Sequence, residues 1–502
     1  HSSCEVLMAF LDIFKRKKRA AKSGSFTLGR RGFDGVNTGR LFADFANLTR
    51  SSDSELKPAL RTLRNRCREL SRNDEYVRRY LQLIKINVAG PHGISVQAKA
   101  RNSDGSLDAP GNKIVENAWK RWSKAGVCTV DGRLSFADAQ RLVVETLARD
   151  GEVLVRKING ADNPDRFAIQ FLEADLLDEE HNIKLENGNR VRMGVEIDEF
   201  GRSVAYHLLK EHPGDHEFAN AYSRKHTRVP ADELLHIFQC DRPHQTRGVP
   251  PLASSINALK MLHGYREAEL VAARVAAAKM GFITTPDGDG YSGDDFEDTN
   301  TPIMNAEPGS FEQLAAGQSI TMFDPSHPTT AFSDFHKAVL RGIASSLGVS
   351  YASLASDLES VNYSSIRQGA LDERDGYKTL QGFLITHFVE PIFQSWLTAA
   401  MTAGSLPLPM SRFDKFANSV IYRPRGFSWV DPLKEINAQV KGIENGLLSM
   451  QDVANHYGAD IEDVFESIQR EKELADRYGL SLAFEPFGKK ANAEPQVSNS
   501  EE

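Results

Sequence analysis

Six acidic residues, Asp287, Asp289, Asp294, Asp295, Glu297 and Asp298, are interleaved with Gly288, Gly290 and Gly293. Two chemistries could use this stretch. The glycines form a GxGxxG string, but a dinucleotide site needs it between a strand and a helix with its amides facing pyrophosphate. Four neighbouring carboxylates would repel that ligand. A calcium loop counted from Asp287 places Tyr291 fifth, Ser292 where glycine is required and Asp298 twelfth, so the EF-hand pattern fails. A solvated loop that binds cations weakly at most is the plainer reading. Gly488-Lys489 lacks the Ser/Thr of a phosphate-binding loop. His207, His212, His216, His226, His236 and His244 are scattered without HExxH spacing, so no metal site is expected. No GxSxG elbow occurs, and Cys4, Cys67, Cys128 and Cys240 lie too far apart for a zinc knuckle or a disulfide framework. The residues supply no recognisable active site, and neither a catalytic residue nor a cofactor is expected.

Charge is the stronger signal. The 502 residues carry a net −7, but residues 1–100 hold 20 Lys and Arg against 9 Asp and Glu, or +11. The remainder holds 41 against 59, or −18. Lys15 to Arg19 form one basic cluster. Arg61, Arg64, Arg66, Arg68, Arg72, Arg78 and Arg79 form another, on a stretch with helical apolar spacing, and could meet phosphate or an acidic partner. An apolar fraction of 40% and 26% charged residues fit a soluble protein of two to four domains. No apolar run is long enough to span a bilayer, and no membrane partner is expected.

These residues must be positioned by a mixed set of elements. Residues 55–88 read as helical, as do about Asn112 to Lys124, where Trp119 and Trp122 share a face that is more often core than ligand platform. Ser135-Phe136-Ala137-Asp138 opens another helix with a capping-box pattern, and Gly151 is its expected stop. Alternating runs from Val153 to Phe238, with turns at Asn187-Gly188 and Phe200-Gly201, predict strands and hairpins. Pro250-Pro251 then opens a predicted helix of about thirty residues ending near Gly281, roughly 45 Å long. Helices follow over Phe332 to Leu347, Ser364 to Ala403 and Pro432 to Tyr478, and the polar composition beyond 481 predicts a disordered tail. The fold class expected is α+β, mainly helical.

Several separated strings now become specific: Arg247-Gly248-Val249-Pro250, then Ile343 to Tyr351 with Leu354 and Asp357, then Asn362 to Arg367, and Trp429 to Glu435 with Gly446-Leu447. Their order and spacing resemble the lambda-type portal proteins of tailed bacteriophages and prophages, over about Phe33 to Leu480. The stretch Asp287 to Asn305 departs from that family in being short and unusually acidic.

The resemblance implies a homo-oligomeric ring, typically of twelve subunits, at one capsid vertex of the virion, assembled in the host cytoplasm. Double-stranded DNA would be pumped through it by a terminase large subunit and later ejected. Capsid or scaffold proteins and head-completion or tail-connector proteins are the other partners implied. In the portal fold so implied, a basic arm covers 1–30, a wing 31–247, a stem helix 248–280 and a clip 281–331. Second stem, tunnel helices and wing return would cover 332–431, and a helical crown 432–480. A channel-facing tunnel loop is expected within 348–363, with Gly348, Ser350, Tyr351, Asp357, Asn362 and Tyr363 as its candidate residues. Arg61, Arg64 and Arg68 are the expected contacts to shell or packaged DNA. The acidic bulk of the chain suits a channel that binds phosphate weakly, since each cation that neutralises a phosphate adds salt-dependent affinity. The alternative from a different class is a Mg²⁺-dependent nuclease or NTPase using Asp287 to Asp298.

Overall fold

A computed structural model of the chain describes residues 49–215, 225–277, 281–284, 319–322, 331–359, 363–427, 432–456 and 461–480. The acidic stretch 287–298, Asn362, the basic cluster Lys15 to Arg19 and the tail beyond 480 lie outside the described residues. Residues 52–502 form one unit, in which most strands fall within 152–238 and most helices before and after that stretch.

The N-terminal helical stretch is broken where its sequence cannot continue. Helix α1 (Ser52–Leu56) is separated from α2 (Leu60–Asn73) by a turn, and Asp74 starts α3 (Glu75–Ile84). Asp74 is extended, and its carboxylate accepts from the amides of Tyr76 and Val77, both at 2.9 Å, satisfying donors that a new helix leaves unpaired. The chain continues through a π turn, Lys85–Ala89, to strand β1 (Ser95–Ala98). Helix α4 (Ala109–Trp122) carries the two tryptophans, and α5 (Phe136–Asp150) begins at Ser135 with the reciprocal capping box and ends at Gly151, φ +86°.

Strands β2 (Glu152–Asn159), β3 (Phe167–Leu172) and β9 (Leu234–Phe238) form a three-stranded antiparallel sheet in the order β3-β2-β9. Between β3 and β9 the chain builds a second antiparallel sheet of β4 (Ile183–Lys184), β5 (Arg190–Arg192), β6 (Val195–Ile197), β7 (Ser203–Leu209) and β8 (His226–Pro230). Its first and third turns hold Gly188 (φ +89°) and Gly201 (φ +83°), at the two hairpins that the sequence marks. A small cluster of Leu154, Leu177, Val195, Tyr206, Leu208, Val229 and Leu234 packs between the sheets.

The predicted helix after the two prolines begins later than its sequence suggests. Pro251–Ser255 is a 3₁₀ turn, α6 runs over Ile256–Ala277, and β10 (Gly281–Thr284) already pairs with β11 (Ser319–Met322). The twenty-two described residues of α6 span about 33 Å. Prolines 250 and 251 fit a tight first turn because neither has an amide hydrogen to give to the ladder. Helix α7 (Ala331–Ser346), the short α8 (Tyr351–Ala355) and α9 (Tyr363–Leu384) follow. A second π turn, Ile385–Val389, leads into α10 (Glu390–Ala403) just before Pro391, whose missing amide hydrogen explains the local widening of the ladder. Helix α11 (Phe413–Ala417) and β12 (Val420–Arg423) come next, with β12 pairing antiparallel to β1. Three helices, α12 (Pro432–Glu444), α13 (Met450–His456) and α14 (Ile461–Arg477), end the described chain. No described helix is long and apolar enough to cross a membrane.

The main core is aromatic. Trp119 and Trp122 stack at 4.8 Å, and Phe393 and Trp396 of α10 meet Trp119 edge-on at 5.3 and 5.0 Å. Burial of indole rings requires partners for their N–H groups: Trp122 donates to the carbonyl of Phe167 at 2.8 Å, and Trp396 to Asp165 at 3.1 Å. The α5–β2 corner is held against residues 248–250 by two glycines. A methyl on Gly248 would press into the Gly151 carbonyl and lie 2.7 Å from Cβ of Phe238 and 2.8 Å from Cβ of Glu152. Gly248→Ala should therefore lower the urea midpoint by an amount equivalent to about 1–3 kcal/mol of overpacking. Gly342→Ala, in α7 with nothing within 4 Å of the added methyl, should raise it by about 0.5–1 kcal/mol. Equal effects of the two substitutions would refute the close approach.

Candidate functional site

Arg61, Arg64 and Arg68 lie on one face of α2, as their spacing requires. That face is largely turned inward. Arg64 is fully buried and pairs with Glu152 (3.3 Å), Asp175 (3.1 Å) and Glu179 (3.1 Å). Arg68 meets Asp150 in a bidentate contact, 3.1 Å on each arm, and Asp175 at 2.6 Å. The expectation that these arginines present a face to DNA or shell is corrected for Arg64, which has no solvent-facing surface, and narrowed for Arg68, which is 18% exposed. Arg61 is 61% exposed and touches Glu179 at 3.3 Å.

The same network continues to Arg247, one residue before the glycine contact. Its guanidinium is fully buried, bonds both carboxylate oxygens of Glu152 at 2.6 to 3.0 Å, and donates to the carbonyls of Ala174 (3.0 Å), Leu177 (3.0 Å) and Met193 (2.8 Å). Glu152 also accepts from the Gly248 amide at 3.0 Å and from His236 Nε2 at 2.9 Å. Burial pushes the Glu152 carboxyl up, but the charge of Arg247 and the bonds from His236 and Arg247 outweigh it and hold the group well below its ordinary value. Burial lowers His236, and the bond to Glu152 only partly opposes that, so the ring is neutral and donates from Nε2. The sequence left Glu152, His236 and Arg247 without a role. The available signal was a polar residue beside or inside an apolar strand segment, Glu152 before Val153-Leu154-Val155 and His236 within Leu234 to Phe238.

The other candidate segment begins at Gly348 (φ +66°), which ends α7. The expected loop between two helices contains the short helix α8. Ser350 caps it, accepting from the Ser353 amide at 3.2 Å. Tyr351 donates to Asp357 at 2.8 Å and has the Arg341 guanidinium 5.4 Å from its ring centroid. Burial, then Asp357, pushes the Tyr351 hydroxyl up to about 12. The Glu359 amide and the Tyr351 hydroxyl lower Asp357. Thus Ser350, Tyr351 and Asp357 share one folded segment. Tyr363 opens α9, and Asn362 lies outside the described residues. Glu373, unnoticed in the sequence, accepts the Ser350 and Ser353 hydroxyls.

Among the described residues one group brings metal-ligand atoms together, Glu173, Asp175 and His212 within 4.8 Å. Asp175 is already paired with Arg64 and Arg68, and two guanidinium groups beside it disfavour a cation. The group reads as part of the ion-pair network.

The profile of phage portal proteins of the lambda family matches residues 38–381. A protein of Halomonas phage phiHAP-1, named "Probable portal protein", is 41% identical over 449 residues, 88% of this chain and 85% of that protein. Portal protein B of Escherichia phage lambda is 23% identical, covering 86% of this chain and 87% of its own. A chain from the neck of a native gene transfer agent particle, computed with C12 symmetry, aligns over 84% of this chain and 99% of its own at 14% identity and TM-score 0.42.

Two measurements test the buried network. Arg64→Ala leaves carboxylates short of a partner and should cost about 3–5 kcal/mol in urea unfolding, against about 0.5 kcal/mol or less for exposed Arg61→Ala. The pH dependence has a definite sign. His236 has a folded pKa below its ordinary 6.5, so the unfolded chain takes up the proton first. Its contribution is complete above about 6.5 and declines as pH falls beneath that value. Thermal scans from pH 7 to 5 should show a falling Tm, with a shallower fall in His236→Gln; an unchanged slope would remove His236 from the account.

Proposed function

The chain belongs to the lambda family of phage portal proteins, and we propose that copies of it close into a ring of twelve at one capsid vertex, through which double-stranded DNA enters and leaves. Portal proteins are structural, so the DNA-processing enzyme considered from the acidic stretch falls away with the family assignment. The observation that carries the ring reading is apolar surface left open on helices. Met261 and Leu270 on α6 are 77% and 65% exposed, and Leu433 on α12 is 75% exposed. Apolar residues at these levels on several helices of one chain fit burial against neighbouring copies, and a repeated heterologous contact that closes on itself gives a ring.

Within that ring α6 serves as a stem helix, the helices and two sheets of 52–247 as the wing, and α12 to α14 as the crown. The stretch joining β10 to β11 belongs to the clip, where terminase and later the head-completion proteins dock. The segment 348–363, with Ser350, Tyr351 and Asp357 on it, reaches the channel. Of Arg61, Arg64 and Arg68, Arg61 has the exposure to meet shell or DNA. The mature location is the virion. Supporting the conduit reading, the −18 of residues 101–502 gives the channel little affinity for phosphate.

Native mass spectrometry together with negative-stain microscopy of the purified full chain tests this directly. Rings, and masses at a multiple of 55.7 kDa, are expected. A monomer that persists across salt and protein concentrations would overturn the proposal.

A further inference from the structure

Helix α9 carries one carboxylate that serves two elements at once. Glu373 Oε2 accepts from Ser350 Oγ at 3.1 Å and Ser353 Oγ at 2.9 Å, both on the segment that follows α7. Its Oε1 accepts from Tyr377 Oη at 2.6 Å, one turn further along α9. The tyrosine therefore fixes the carboxylate's rotation and leaves the other oxygen aimed at the segment. A carboxylate is an acceptor only and bonds to it are charge-assisted; the Ser350 hydroxyl, which has one proton, divides it between Glu373 and Ser353 Oγ at 2.8 Å, while Ser353 and Tyr377 give theirs to the carboxylate. On the far side, Arg79 of α3 donates to the Ser353 carbonyl at 3.0 Å, so the same short helix is held between two elements distant in sequence.

Behind the root of the segment there is space. A largely apolar cavity of about 230 Å³ is lined by Leu347, Gly348, Tyr377, Leu380, Tyr80 and Val144 among others. Gly348 has nothing within 4 Å of its would-be Cβ. Leu347, Val349 and Leu354 anchor the segment apolarly in the main core, and the polar ties act beside that packing to fix its orientation.

We propose that Glu373 is the positioning residue of the 348–359 segment: it latches α8 to α9 and so sets where Tyr351 and Asp357 stand in the channel. The latch itself is read from the contacts above, whereas its bearing on DNA passage rests on the channel reading of the preceding subsection. Loss of the carboxylate removes the acceptor that α9 offers to Ser350 and Ser353, leaving them only their bonds within the segment, and removes the partner of Tyr377.

The test is hydrogen exchange on the full chain as purified, combined with the yield of DNA-filled particles. Glu373→Ala should speed exchange at Ser353 and Leu354 by about tenfold or more while α5 amides keep wild-type protection. Glu373→Gln, which retains an amide oxygen at the same reach, should restore most of that protection. Ser353→Ala should loosen the segment in the wild-type background and add nothing in Glu373→Ala, the non-additivity expected of groups in one contact. Unchanged exchange in Glu373→Ala, or full additivity with Ser353→Ala, overturns the latch. Should Glu373→Ala fail to fold, Ser353→Ala and Tyr377→Phe decide in its place, and absence of local loosening in both overturns it equally. Faster exchange with an undiminished yield of filled particles upholds the latch and refutes the channel reading instead.

Discussion

A fully buried carboxylate, Glu152, is the constraint around which the described structure is arranged. A charge removed from water is tolerable only when other charges and donors meet it. Two buried arginines, a histidine and a backbone amide converge on this one group. They come from α2, the residue before Gly248, and β9, so each element must dock in one register or leave a charge unmatched. The small apolar cluster between the sheets could not impose this alone, since a set of seven aliphatic and aromatic side chains tolerates sliding that a bidentate guanidinium contact does not. The sheets are consequently tied to the N-terminal helices by direction-specific bonds, and the larger aromatic core holds α4, α5 and α10 together by area.

This division explains the place of the strand-edge glycines. Arg247 can reach Glu152 only if residues 247–250 run against the end of α5, and that approach is possible because neither Gly151 nor Gly248 has a side chain. The left-handed turn at Gly151 simultaneously ends the helix and starts β2 at Glu152. One backbone feature thus supplies a helix stop, a strand start and room for the buried arginine.

Local signals were legible in the sequence, and long-range partnerships were not. The capping box at Ser135 and Asp138, the stop at Gly151, the tryptophan pair and the two hairpins depend on residues within a few positions of one another, and each stands where the pattern puts it. Arg64 and Arg68 of α2 defeated the same reasoning because a helix rich in arginine looks solvated on every face until Asp150, Glu152, Asp175 and Glu179 are known to cover one of them. Those partners lie 82 to 115 residues downstream. Two π turns and the 3₁₀ start ahead of α6 escaped because helical periodicity survives a one-residue change in the ladder. Helix α8 was hidden for a different reason: five residues carry too little periodicity to register. What identified the family was none of these elements but the order of several short strings along the chain.

The pairing of β1 with β12 joins Ser95 to Arg423 and Ala98 to Val420. Its consequence concerns the order of events during synthesis. The second strand of that sheet emerges from the ribosome more than three hundred residues after the first, at about 5–20 residues per second a delay of roughly 15–65 s. Until then β1 has an open edge and the helices flanking it lack their last neighbour. The sheet that joins the two ends of the described fold therefore closes only after nearly the whole polypeptide has been made.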